Sequence, residues 1–109
     1  MPITVDDGAL VTKDPADISV YVFDWDTNHL AASVTIVTST FAITAIKPST
    51  VDTALTKDQE GIVAGNRTTR LRLTGGTLGQ VYRIDNRIVT SESPAQTKER
   101  SCFLKIENR

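Results

Sequence analysis

The chain has 109 residues, 39% hydrophobic and 23% charged, with a formal net charge of −1. That suits one domain with a packed core and excludes global disorder. The near-neutral total and the lack of a dense basic cluster set nucleic acid aside as a partner. The lack of an apolar run of roughly 20 residues sets aside a helical membrane span.

The opening, MPITVDDGALVTKD, has no basic stretch followed by an apolar one, so it does not read as a secretory leader. Cys102 is the single cysteine, so it forms no internal disulfide and builds no zinc site alone. A reducing compartment, or a particle assembled in one, is the expected origin. Charge is uneven. Residues 1–60 carry nine acids against three bases (−6), and residues 61–109 carry four acids against nine bases (+5). Either acidic and basic strands face each other within a sheet, or identical subunits pack head to tail, acidic patch on basic patch.

In chain order, residues 1–13 read as a flexible N-terminal arm, and residues 14–109 as one domain. DISVYVFDW places Tyr21, Phe23 and Trp25 on one strand face and Ile18, Val20 and Val22 on the other. Both faces are apolar, which predicts a strand covered on both sides. ASVTIVTS and TFAITAI read as two further strands, the second ended by Pro48. DTALTKDQEGIVAGNRTT reads as a short strand, a polar turn and another short strand. TTRLRLTGG points Leu71 and Leu73 inward and Arg70 and Arg72 outward, with a turn at Gly75-Gly76. GQVYRIDNRIVT alternates Tyr82, Ile84, Asn86 and Ile88 against Arg83, Asp85 and Arg87, a half-buried antiparallel strand. KERSCFLKIEN ends the series with Cys102, Leu104 and Ile106 on one face. Turn signals every 10–15 residues or so predict an all-β, immunoglobulin-like β-sandwich of about seven antiparallel strands. Such a fold predicts that Tyr82, two residues before the core Ile84, forms a tyrosine corner.

Candidate chemistry is sparse. Asp24, Asp26 and Asn28 have the spacing of the first half of a calcium loop. Such a loop also needs Gly at its sixth position and Glu at its twelfth, and here stand His29 and Thr35. A looser metal set of Asp24, Asp26 and His29 is a weaker variant. The reading adopted is structural: Trp25 packs in the core while the Asp and Asn side chains shape a turn. A Cys102–His29 nucleophile pair is set aside because Cys102 falls at an inward strand position. The Gly-rich run Gly75 to Gly79 joins two strands rather than opening a helix, so it reads as a turn and not a phosphate cradle. Asn66 to Thr68 is a glycosylation sequon with nothing to suggest a secretory route. No catalytic, cofactor-binding or metal-ligating residue is assigned, and no cofactor is expected. Asn86 stands out as an amide on the inward face, which must be hydrogen-bonded if buried.

The ordered set KDPADISVYVFDW, GGTLGQVYRIDNRIVT and KERSCFLKIENR resembles the phage fibre–tail adaptor family, small virion proteins of tailed phages. The positions that carry the resemblance are Lys13, Asp14 and Pro15; Asp24 and Trp25, with Tyr21 or Phe23 before them; and Gly75, Gly76, Thr77 and Gly79. Tyr82, Asn86, Arg87 and Ile88, then Arg100 and Ser101, complete the set. The middle, Thr40 to Asn66, departs from the family pattern. The resemblance implies a non-enzymatic structural protein of the virion, made in the bacterial host cytoplasm. It implies a place at the tail or neck, other virion proteins as partners, and a homo-oligomer or ring. Capsid decoration or head–tail completion is the alternative within phage biology, and a carbohydrate-binding β-sandwich is the alternative from another class. It names no residue that touches a neighbour.

Overall fold

The computed structural model describes residues 3–5, 8, 10–25, 33–63 and 65–108. They form eight strands: β1 (Ile3–Val5), β2 (Leu10–Lys13), β3 (Ile18–Asp24), β4 (Ile36–Lys47), β5 (Leu55–Ile62), β6 (Thr68–Gly75), β7 (Val81–Thr90) and β8 (Thr97–Ile106). Two four-stranded sheets result, in the orders β1-β3-β6-β5 and β2-β8-β7-β4. The alternation read from the sequence dictates this layering. Leu71 and Leu73 of β6, Ile84 and Ile88 of β7, and Cys102, Leu104 and Ile106 of β8 are all buried, while Arg70 and Arg87 face out. Phe23 of one sheet meets Phe41 of the other edge to face, 5.6 Å between centroids. Such a pair adds about 0.5–1.5 kcal/mol beyond its area burial.

Four local expectations are corrected. The segment read as an arm contributes β1 and β2, which pair in parallel with β3 and β8. The described residues thus hold eight strands, two of whose pairings are parallel, within the all-β two-sheet sandwich expected. Strand-favouring Ile, Val and Thr explain the pairing, and Lys13 anchors its end. Lys13 is 1% exposed, and its amine donates to the carbonyls of Asp14 (3.0 Å) and Gly75 (2.8 Å). Second, the two strands expected across residues 32–46 are one 12-residue strand, β4, with register shifts only near its ends. Third, the polar turn expected at Asp58 to Gly61 is an irregularity inside β5, with Gln59 at φ 55°. One strand can absorb an extra residue as a bulge without reversing direction. Fourth, the outer face of β3 is not covered. Val20 and Val22 are half-buried and Ile18 is 59% exposed.

The β6–β7 turn is fixed by its glycines. Gly76 has φ +108°, and a Cβ there would lie 2.6 Å from Ile106 Cδ1. Gly65 also has positive φ (+92°) but faces open space. Gly65→Ala should therefore cost only its backbone strain, about 1–2 kcal/mol. Gly76→Ala should cost more, because overpacking adds roughly 1–3 kcal/mol. Urea unfolding of the two variants side by side measures the difference.

Candidate functional site

Three residues of the family resemblance, Trp25, Asn86 and Arg100, lie far apart in sequence and meet in the interior. Asn86, fully buried on β7, uses all four of its hydrogen-bonding positions. Its Oδ1 accepts from Trp25 Nε1 (2.9 Å) and Thr69 Oγ1 (2.6 Å). Its Nδ2 donates to Ser39 Oγ (2.9 Å) and the Thr40 carbonyl (3.2 Å). Trp25 follows β3, Thr69 lies on β6, and Ser39 and Thr40 lie on β4. One amide thus links both sheets.

Arg100 pairs in register with Asn86 and is buried beside it. Its guanidinium stacks over Trp25, 5.4 Å from the ring centroid, and Nη1 donates to the Asp24 carbonyl at 2.5 Å. Its Nε finds no partner among the described residues. Cys102, Leu104 and Ile106 mark the inward face of β8. Continuing the same alternation back two residues marks Arg100 as inward. The burial of Lys13 gave no comparable signal.

A second polar cluster closes one end of the sandwich. Tyr82 donates from its hydroxyl to Asp52 Oδ1 (2.7 Å) and accepts from the Thr77 backbone N–H (3.1 Å). The latter is the side chain-to-backbone bond expected of a tyrosine corner. Hydrogen bonds from Thr77, the Ala54 N–H and Tyr82 hold the Asp52 carboxyl below its usual range. Burial first, and the Asp52 bond and charge with it, raise the Tyr82 phenol. Buried Gln80 adds a donor to the Ser49 carbonyl (2.7 Å) and an acceptor for the Ser49 N–H (3.2 Å). The segment after β4 is thereby pinned to the β6–β7 turn. Beside it, on the outer face of the second sheet, lies an open apolar groove of about 630 Å³. Leu10, Ile46, Val81 and Phe103 line it, with Lys47 and Lys105 among its walls.

The other candidates fall as follows. Asp24 ends β3, half-buried; Asp26, Asn28 and His29 lie outside the described residues. Among the described residues no three His, Cys, Asp or Glu side chains group as a metal set. Cys102 is 3% exposed, and burial pushes its thiol from the ordinary 9.0 to about 12, with the Asp85 charge adding. Such a thiol stays protonated and unreactive near neutral pH. Four arginines of the basic half divide between opposite outer faces, Arg70 and Arg72 on β6 and Arg83 and Arg87 on β7. Arg72 makes a two-point pair with Asp58 (2.8 and 2.6 Å), which lowers the Asp58 carboxyl. Arg87 pairs with Glu99 at 3.1 Å. Asp58 with Arg72 is therefore one place where the acidic and basic halves meet across neighbouring strands.

Two packed sheets, cross-linked by buried polar side chains, define a rigid β-sandwich module. The family described as podophage GP4 fiber-tail adaptor protein gp77 matches residues 13–105, and the chain belongs to that family. No curated protein matches the chain.

Asn86→Ala should destabilise the domain by about 1–3 kcal/mol, since it strands Trp25 Nε1 and Thr69 without their acceptor. Chemical denaturation followed by Trp25 fluorescence reads both the loss and the site. Cys102 should resist thiol reagents at pH 8 in the native protein and react fully once unfolded. Because folding raises this thiol, the native state holds a proton that the unfolded state gives up. Stability is then unaffected below the ordinary value of 9.0 and falls as pH rises from there toward about 12. Melting temperatures across that range test the sign.

Proposed function

We propose that the chain is a non-enzymatic structural component of a tailed-phage virion that links fibres or neighbouring proteins to the tail. The observation that carries this reading is the family match across residues 13–105. The residues of the resemblance support it from within. Lys13, Trp25, Gly76, Tyr82, Asn86 and Arg100 bind the two sheets and their turns, so the family pattern specifies a stiff module. A linker under load needs such a body. The strand order β3-β6-β5 against β8-β7-β4, with the Tyr82 corner, favours an immunoglobulin-like arrangement. Several copies around the tail, and synthesis in the host cytoplasm, complete the reading.

A carbohydrate-binding module is less well supported, because sugars stack on exposed rings. Tyr21, Phe23, Trp25, Phe41 and Tyr82 are buried, and Phe103 alone is half-exposed. Capsid decoration has no observation in its favour that the tail lacks.

Deleting the gene from its phage should yield filled heads with tails that lack fibres. Cryo-electron microscopy of wild-type particles should place the protein between tail and fibre. Fibres retained on the deletion particles, or density on the capsid shell, would sink the adaptor reading.

A further inference from the structure

We propose that the free edge of β4 is an assembly surface, where a second copy of this chain adds its own β4 antiparallel about a two-fold axis. The two sheets have four edge strands, β1 and β5 in one, β2 and β4 in the other. Unpaired edges recruit other strands, and proteins blunt them with shortness, charge or bulges. Three edges here are blunted. β1 has three residues and β2 four. β5 carries Lys57, Asp58 and Glu60 and is broken between Asp58 and Gly61.

β4 has none of these devices along its middle. It is 12 residues long, and from Ile36 to Ile46 it holds no charge, no Pro and no Gly. Its register with β7 runs unbroken from Thr38 to Ala45. At about 3.4 Å per residue that stretch is roughly 27 Å, in a molecule 43 Å long. Phe41 and Ala45 are buried and Thr38, Thr40, Ala42 and Thr44 exposed, so the core fixes which way the strand faces. No described strand pairs with its other side.

The occupant follows from the same sequence. Two-fold pairing sets a strand against itself, so a charge near the axis meets its own copy. β4 has none until Lys47, its last residue. With the axis at Ala42, Thr40 lies opposite Thr44 and Phe41 opposite Ile43. Thr–Thr and aromatic–β-branched neighbours are favourable cross-strand pairs. Among the described strands no other edge matches β4 in length and regularity. β5, which runs close to β4, presents charges that are already paired, Lys57 with Glu60 and Asp58 with Arg72. Two copies therefore meet there without net repulsion, and the two sheets join into one of eight strands. The inference rests on the chemistry of this edge and not on the adaptor reading.

Native mass spectrometry and sedimentation of the purified chain over a concentration series test it. A dimer is expected. Ala42→Lys, which sets two like charges at the axis, should raise its dissociation constant at least tenfold and leave the monomer's unfolding temperature, read at concentrations where wild type is also dissociated, unchanged. Thr56→Lys on β5 should leave the dimer intact. Should Ala42→Lys fold poorly, Ala42→Cys decides: mild oxidation should give a disulfide-linked dimer, with buried Cys102 silent. A wild-type chain that stays monomeric at the highest concentration reached overturns the proposal. So does a dimer indifferent to Ala42→Lys, one lost equally with Thr56→Lys, or an Ala42→Cys chain that does not cross-link.

Discussion

The structure turns on one amide buried between the sheets. Asn86 has two lone pairs and two N–H groups, and an unmet polar group at such depth costs about 1–3 kcal/mol. All four are met, by Trp25, Thr69, Ser39 and Thr40. Those partners come from three elements in two sheets, so each must hold position to within the tolerance of a hydrogen bond. Apolar packing alone is non-directional and would let the sheets slide. The amide makes sliding costly, and Arg100 stacked over Trp25 braces the same point from the next strand.

Much of this was legible in the residues. Period-2 alternation located β6, β7 and β8, picked out Asn86 as an inward amide, and placed Tyr82 for its backbone bond to Thr77. The misreadings share a cause. Alternation reports which way side chains point, and it does not report strand length, pairing partner or depth. ASVTIVTS and TFAITAI read as two strands, yet β7 pairs without a break from Thr38 to Ala45. The Asp58 to Gly61 run has the composition of a turn and is used as a bulge. Lys13 is of a residue type that is seldom buried, and its bonds to the carbonyls of Asp14 and Gly75 help hold it inside.

The division of labour among residues explains why family membership was readable while contact surfaces were not. Much of the family pattern falls on residues that fold the domain, among them Lys13, Trp25, Tyr82, Asn86 and Arg100. The surface is made largely of other things: charge pairs on the outer faces, an apolar groove beside Phe103, and an uncharged edge on β4. Exposed positions tolerate change within a few tenths of a kcal/mol, so they are free to follow whatever neighbour a particular particle supplies. Adaptor proteins need this combination of a constant body and an adjustable skin.

The place of β8 has a consequence for how the protein comes into being. β8, the last of the described strands in chain order, is an inner strand, lying between β2 and β7. Until it emerges, β2 has no partner and the core lacks Cys102, Leu104 and Ile106. Folding must therefore wait for translation to pass β8. A product cut short by a frameshift or premature stop would lose the middle of a sheet rather than a fringe, and would be left to the host's proteases. Quality control is thus written into the order of the strands: only a chain translated through β8 can compete for a place in the particle.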